Sequence, residues 1–423
     1  MPASIQYSKA RYTPSPVGEF RNNAFIEALP VIPDDPRLLA GMLLNTYEID
    51  PFQDAVNKDR ALDRVAESSF ICLPRNVRLF KTVDELIRDG YLARKGVTGS
   101  RLRSLEDYRQ HEQKSLDEIR AINLKETVHH ASHISLIGCH GSGKSYALRR
   151  ILSFYPQVIY HLAMSSHDPL QIVYLKTDCR KGGTIRDLYL DIIGQIGRLT
   201  GQDFSGHYEG KRPGSVLLRR IAHRLMANYS LGVLVVDQVE NLMDTRAKRD
   251  ELFTFIESCS TGLDTPLVLV GATRILNYAK KDQRVPGFFD RCVSFSWQRF
   301  QPEGTCYRNF LRLMWQQLAL ANDKKYVPRE IESAFYYYSQ GIVTHLVSLF
   351  VLSVKLALAR GTNYLTPSLV RDCFELYFTD VKGKITALRD KNRTAFRKLQ
   401  SQTFSKEQFD RCSNELSARI KAL

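Results

Sequence analysis

The sequence predicts an α/β fold with a parallel-sheet core, a C-terminal helical lid and a small N-terminal domain. Three observations carry this. Between about residues 126 and 300, short apolar runs alternate with amphipathic helical patterns, as parallel strands joined by crossover helices do. The first of those runs leads into a glycine-rich segment that opens a helical pattern. Beyond about residue 301 strand patterns vanish, and apolar residues recur at three- and four-residue spacing.

The chain has 423 residues, room for two or three domains. Hydrophobic residues make up 43% and charged residues 25%, enough apolar surface for a sizeable core and no case for disorder. Residues 1–125 are punctuated by Pro14, Pro16, Pro30, Pro33, Pro36, Pro51 and Pro74. They hold short helical patterns, such as 83–92, and a charged stretch over 101–120, and read as a small domain with a helical linker. In the core, 126–300, the candidate strands are 134–137, 157–160, 172–175, 233–236, 267–270 and 292–295. Such unbroken apolar runs suit strands covered on both faces. Helical patterns over 185–199 and 215–229 lie between them. The lid, 301–378, is expected as helices over 304–320, 329–339, 342–359 and 366–378, and the tail, 379–423, is helical in propensity and basic.

The formal net charge of +15 favours a polyanionic partner, nucleic acid or an acidic membrane surface. The membrane reading weakens because no apolar run approaches the roughly 18 residues of a span, and the N-terminus lacks the apolar stretch of a signal peptide. The eight cysteines form no C-x-x-C pair, which removes zinc-ribbon spacing and fits reduced core thiols of a cytosolic protein.

Gly138-Cys139-His140-Gly141-Ser142-Gly143-Lys144-Ser145 fits G-x-x-x-x-G-K-[ST], between a candidate strand and a helix expected over 146–154 and opened by Tyr146. In that context the glycines let backbone N–H groups surround phosphate oxygens, and the helix N-terminus adds partial positive charge. Lys144 is expected on the β- and γ-phosphates of ATP, and Ser145 on Mg²⁺. The run 233–236 ends in Asp237, whose carboxylate is the expected second metal-side ligand.

This arrangement resembles the AAA+ P-loop proteins, which usually carry Glu directly after that Asp to polarise the attacking water. Here the position is Gln238, a poor base, and a carboxylate follows only at Glu240. Three readings stand: Glu240 has taken over the role, turnover is slow, or a Glu-to-Gln change has been introduced to hold ATP bound. The same resemblance makes Thr273, after 267–270, a candidate sensor of the γ-phosphate, and Arg284 or Arg291 a finger reaching a neighbouring subunit's ATP. The segment 341–345 has no Arg where many AAA+ lids place a second sensor.

A narrower resemblance runs from about residue 20 to 375. Asn22-Asn23-Ala24-Phe25-Ile26-Glu27-Ala28-Leu29-Pro30, the phosphate loop, the stretches 155–161 and 171–179, and 339–343 with 349–352 are similar to TnsC and TniB-type transposition ATPases. The chain departs from them at Asp237-Gln238-Val239-Glu240, where the family reads Asp-Glu-x-Gln, and in a shorter C-terminal region. The resemblance implies an ATP-dependent regulator that forms homo-oligomeric rings or helical filaments on double-stranded DNA without reading its sequence. It implies a TnsD/TniQ-type target selector, in some systems with a guide-RNA complex, as the source of the signal, and a TnsA/TnsB transposase as its recipient. It further implies a bacterial, cytoplasmic, nucleoid-associated setting. Arg180, Lys181, Thr184, Arg186, Lys211, Arg212 and Ser215 are the expected phosphate-backbone contacts. A helicase loader or helicase, and a nucleotide-binding DNA scaffold without turnover, are the alternatives; the absence of helicase motifs speaks against the first.

Overall fold

The computed structural model describes residues 7–50, 52–93, 133–161, 170–204, 214–262, 265–276, 292–302, 304–318, 320–322, 326–399 and 401–422. These divide into two compact units, one drawn from 1–32, 79–137 and 151–296, the other from 33–78, 138–150 and 297–423. The strands are β1 (Tyr7–Lys9), β2 (His133–Gly138), β3 (Val158–Tyr160), β4 (Leu170–Ile172), β5 (Tyr174–Asp178), β6 (Val233–Asp237), β7 (Leu267–Ala272) and β8 (Cys292–Trp297). The helices before the lid are α1 (Ala24–Glu27), α2 (Pro36–Leu43), α3 (Ala55–Ser68), α4 (Pro74–Ala93), α5 (Lys144–Leu152), α6 (Ile185–Thr200), α7 (Ser215–Asn228) and α8 (Arg246–Gly262). Those of the lid and tail are α9 (Thr305–Trp315), α10 (Arg329–Ser339), α11 (Val343–Ala359), α12 (Pro367–Tyr377), α13 (Thr379–Arg389), α14 (Arg393–Leu399) and α15 (Lys406–Lys421).

The first unit is built on a five-stranded sheet of order β5-β6-β7-β2-β8, with β5, β6 and β7 parallel to one another. Strand β6, flanked by β5 and β7, is buried along its whole length, as its unbroken Val-Leu-Val-Val pattern requires. Helix α6 shows how local chemistry sets an element. Thr184 and Asp187 form a reciprocal capping box at its start, Ile185, Leu188, Ile192 and Ile196 bury one face, and Gly201 ends it at φ +69°.

Two sequence expectations are corrected in this unit. The run 157–160 does not join the main sheet. As β3 it pairs parallel with β1 and antiparallel with β4 in a separate three-stranded sheet. The run 172–175 is not one strand but the seam between sheets. Val173 donates its N–H to Gln157 O at 2.9 Å, and its carbonyl accepts from Val233 N at 3.0 Å, so the chain changes partners there.

The second unit has α11 at its centre. Leu346, Leu349, Phe350, Val351, Leu352, Val354 and Leu356 are all buried, which makes the helix apolar all round and covered by α3, α10, α12 and α15. The core joins Ile49, Leu62 and Val65 to lid residues, so residues expected as one N-terminal domain are shared between the two units. Charge lies inside it as well. Lys355, with no exposed side-chain surface, is held by Asp59 at 2.8 Å, Asp63 at 2.6 Å and Ser417 at 3.1 Å. The helix expected over 304–320 stops at Trp315. Buried Gln317 there turns its carbonyl oxygen to Tyr47 N at 3.1 Å and Ser69 Oγ at 3.0 Å.

Candidate functional site

Strand β2 delivers the chain to the glycine-rich loop, and each glycine there answers a spatial demand. A Cβ at Gly138 would fall 2.0 Å from Trp297 O, a backbone collision. Gly141 and Gly143 adopt φ +79° and +89°, where a side chain is strained, and a Cβ at Gly141 would also press to 2.4 Å from Thr344 Oγ1. The loop is pinned from two sides of its own unit. Trp297 Nε1 donates to Ser142 O at 2.9 Å, and Thr344 N donates to Gly141 O at 2.9 Å. Ser142 Oγ closes the turn on Cys139 O at 2.8 Å.

Lys144 opens α5, is 9% exposed, and donates to the carbonyls of Gly138 and Cys139, both at 2.9 Å. The ammonium thus rests on carbonyl oxygens of the loop itself, above the N-terminus of a nine-residue helix. Such a cradle of positive-φ glycines, helix N–H groups and one lysine fits a phosphate group. Ser145, next in line, presents a hard oxygen suited to Mg²⁺. Tyr146 packs elsewhere. Its ring lies tilted against Phe70 and its hydroxyl lies 3.3 and 3.1 Å from the carbonyls of Glu67 and Ser69.

In the sheet-bearing unit, Asp237 ends β6 and is 4% exposed. Its Oδ1 accepts from Gln238 N at 2.9 Å, and its Oδ2 lies 3.2 Å from Lys176 Nζ. Lys176 also bonds Asp178 at 2.5 Å, so one strand-borne lysine bridges two carboxylates. Sequence reasoning missed Lys176; the signal was a lone cation in the apolar run that becomes β5. Gln238 sits in the left-handed region at φ 58°, and its Oε1 lies 3.5 Å from Asn241 Nδ2. Glu240 is 2% exposed, and its Oε2 accepts from Ala272 N at 3.0 Å. That carboxylate braces the turn after β6 against the end of β7. Thr273 follows β7 directly and is half-buried, and Arg274 beside it bonds Asn241 Oδ1 at 2.5 Å. Among the described residues no group of three or more His, Cys, Asp or Glu is placed to hold a metal ion, so a metal there would be held by few carboxylates together with its ligand's own oxygens.

Of the residues expected on a polyanion, Arg180, Lys181 and Thr184 are exposed in the turn between β5 and α6, and Arg186 is half-buried on the first turn of α6. The Thr184 hydroxyl is already engaged with Asp187 in the capping box, at 2.8 Å. Ser215 is exposed at the start of α7. Lys211, Arg212, Arg284 and Arg291 lie outside the described residues. The basic cluster at 246–249 is in part structural: Arg249 is 8% exposed and bonds Met243 O at 3.0 Å, and Lys248 bonds Gly183 O at 2.8 Å.

Three of the segments that carried the narrower resemblance meet in space. Phe25 stacks on Tyr91 and meets His161 edge-on, and its carbonyl accepts from Gln171 Nε2 at 3.0 Å. His161 in turn bonds Gln171 Oε1 at 2.8 Å and Tyr12 at 2.9 Å, and burial pushes its pKa down. Segments 22–30, 155–161 and 171–179 are thus one packed cluster rather than scattered matches.

Residues 126–278 match the model of the AAA domain family. The α/β core is an AAA+ P-loop fold, and the AAA domain takes in the glycine-rich loop, Asp237, Gln238, Glu240 and Thr273. No curated protein sequence matches the chain. Solved structures of partial likeness include Drosophila ORC bound to DNA, at 10% identity over 93% of this chain and 83% of that one, with a TM-score of 0.44. Another is the Aeropyrum pernix ORC1 protein in complex with DNA, at 13% identity over 72% and 82%, with a TM-score of 0.41. The Thermotoga maritima RuvB Holliday junction branch migration motor matches at 12% identity over 74% and 87%, with a TM-score of 0.35. These likenesses are too slight to bear on ligand or partner. Among the described residues no helix is long and apolar enough to cross a membrane.

Proposed function

We propose that this chain is an ATP-dependent regulator of DNA transposition. It oligomerises on double-stranded DNA with ATP bound and couples target-site selection by a TnsD/TniQ-type partner to recruitment of a TnsA/TnsB transposase. The observation that carries the nucleotide part is the cradle at 138–145, with positive-φ glycines at 141 and 143 and Lys144 resting on the loop's own carbonyls. The transposition part rests on the resemblance of the 22–30, 155–161 and 171–179 segments, and the DNA part on the +15 charge.

The chain's own residues divide the work. Backbone N–H groups of the loop and Lys144 bind and orient the triphosphate. Ser145 and Asp237 would each supply an oxygen to Mg²⁺, which when bound offsets charge on the phosphates. Lys176, 3.2 Å from Asp237 Oδ2, would share that carboxylate with a bound metal. Thr273 faces the γ-phosphate, and Arg284 or Arg291 serves the neighbouring subunit's nucleotide. Arg180, Lys181, Arg186, Lys211, Arg212 and Ser215 track the DNA backbone, with Thr184 holding the helix they flank.

Turnover is slow in this reading. Gln238 is no base, and Glu240 is committed to Ala272 N. That commitment also favours a second reading, a nucleotide-binding DNA scaffold without turnover. Phosphate release measured for the natural sequence, Gln238→Glu and Glu240→Gln separates them. The regulator reading expects slow but ATP-saturable release, a gain of about a hundredfold or more with Gln238→Glu, the scale of one general base, and Glu240→Gln acting on stability rather than rate. No release from Gln238→Glu would leave only the scaffold.

A further inference from the structure

Strands β5 and β6 run parallel, with Asp178 opposite Asp237 and Lys176 opposite Val235. Alternate residues of a strand share a face, so Lys176, Asp178, Val235 and Asp237 stand together on one side of the sheet. The register is fixed at its end, where Cys179 N donates to Asp237 O at 2.9 Å. Thr177 turns to the other face and gives its hydroxyl to Asp191 at 2.5 Å. The Lys176 ammonium lies 2.5 Å from Asp178 Oδ1 and 3.2 Å from Asp237 Oδ2. Its side chain is 20% exposed, against 56% for Asp178 and 6% for Asp237, so it spans from a carboxylate in solvent to one in the interior.

Both oxygens of Asp237 are engaged before any metal arrives. Oδ1 accepts from Gln238 N at 2.9 Å, and Oδ2 faces Lys176. The backbone bond and the burial fix this carboxylate without help from the lysine. What the lysine adds is charge. Two carboxylates on neighbouring strands repel, and an ammonium between them offsets half of their formal charge. A divalent ion on Asp237 then meets a cation on the same carboxylate. A like charge within about 4–6 Å shifts an ionic equilibrium by about tenfold or more. Asp178 offers the lysine a second seat, closer and more exposed, where the ammonium can stay while a metal takes Asp237.

We infer that Lys176 is a resident counter-ion of the metal-side carboxylate. It balances Asp237 while no metal is present and opposes the metal when one enters, and Asp178 sets the balance between the two. The consequence is a nucleotide site that depends less on Mg²⁺ than a bare pair of carboxylates would. Without metal, the ammonium offsets charge that would repel a polyphosphate. With metal, the same ammonium weakens coordination. Lys176 acts through Asp237 and not on the phosphates. This rests on the reading above that Asp237 serves the metal of an ATP site.

The test is the affinity of the full chain for the fluorescent ATP analogue mant-AMP-PNP, titrated once in saturating Mg²⁺ and once in EDTA. The quantity read is the ratio of the two affinities, which a general loss of stability leaves alone. Lys176→Met, which keeps the apolar stem, is expected to raise the ratio about tenfold, by weakening binding in EDTA and strengthening it in Mg²⁺. Lys176→Arg keeps the charge and is expected to keep the natural ratio. Asp178→Asn removes a negative charge and leaves the ammonium to Asp237 alone, so it is expected to lower the ratio several-fold. Asp178 is exposed, so this second variant decides even where Lys176→Met fails to fold. An unchanged or lowered ratio in Lys176→Met, or an unchanged or raised ratio in Asp178→Asn, overturns the inference. If the natural protein binds the analogue in neither condition, the nucleotide reading itself fails and takes the inference with it. If the natural protein binds and Lys144→Ala does not, while the ratio stays flat across the Lys176 and Asp178 variants, the failure is confined to Lys176.

Discussion

Replacing Trp297 with Phe tests whether the phosphate loop is held in shape by the residue that closes β8. Trp297 is 1% exposed, its Nε1 reaches Ser142 O at 2.9 Å, and Arg75 lies 4.5 Å over its ring. Phe removes the donor and leaves the Ser142 carbonyl unanswered in the interior, a cost of about 1–3 kcal/mol. The smaller ring leaves a void worth about 1 kcal/mol. Arg75 keeps an aromatic face, so that change adds only about 0.5 kcal/mol. The sum is about 2.5–4.5 kcal/mol, which for a unit of this size lowers the melting temperature by about 10 °C. Nucleotide affinity is expected to fall as well, by about tenfold, because a carbonyl free to rotate spoils the preorganised cradle. Scanning fluorimetry and titration with a fluorescent ATP analogue measure the two effects. Trp315→Phe is the control: Trp315 is equally buried in the second unit's core, so its loss costs stability and spares affinity. Affinity unchanged in Trp297→Phe, or lost to the same degree in Trp315→Phe, would refute the idea that Trp297 shapes the loop.

Two further outcomes follow from buried charge. Lys355→Met strands Asp59, whose side chain is 4% exposed, and is expected to cost about 3–5 kcal/mol in denaturant unfolding; adding Asp59→Leu should restore most of it, and a neutral single variant would contradict the clasp. Burial, aided by Arg219 and Lys384 respectively, holds His223 at about 4 and His345 at about 3, against 6.5 for a free imidazole. Below pH 6.5 the unfolded chain then binds more protons than the folded one, so stability is whole above that value and is lost as pH falls toward the folded pKa values. Between pH 7 and pH 5 each group is expected to remove about 2 kcal/mol, read by urea unfolding at the two values; a flat profile would contradict it.

The strand–loop–helix form of 138–145 was legible because its constraints are local: glycines at fixed offsets, a lysine, and a strand and helix on either side. The same holds for β6, whose four apolar residues and terminal Asp237 need no distant information. What escaped was set by partners far away in the chain. Nothing in Ile172-Val173-Tyr174 announces that Val173 changes sheets, because that depends on Gln157 and Val233. β1 went unread, since three exposed residues gain strand character only from pairing with β3. Residues 33–78 read as part of a separate domain because their apolar positions carry no label for the lid core that receives them. Around the candidate site, Lys176 and Trp297 were invisible for one reason. Each looks like an ordinary strand residue until the fold places it beside a carboxylate or a loop carbonyl.

The central claim is that ATP held by the loop at 138–145 drives assembly on duplex DNA. Electron microscopy and sedimentation of the purified chain with Mg²⁺, duplex DNA and either AMP-PNP or no nucleotide test it most directly, beside Lys144→Ala. Rings or filaments on DNA with AMP-PNP, absent without nucleotide and absent in Lys144→Ala, are the expected result. A natural protein that stays monomeric on DNA with AMP-PNP, or a Lys144→Ala variant that assembles as well, would contradict the account.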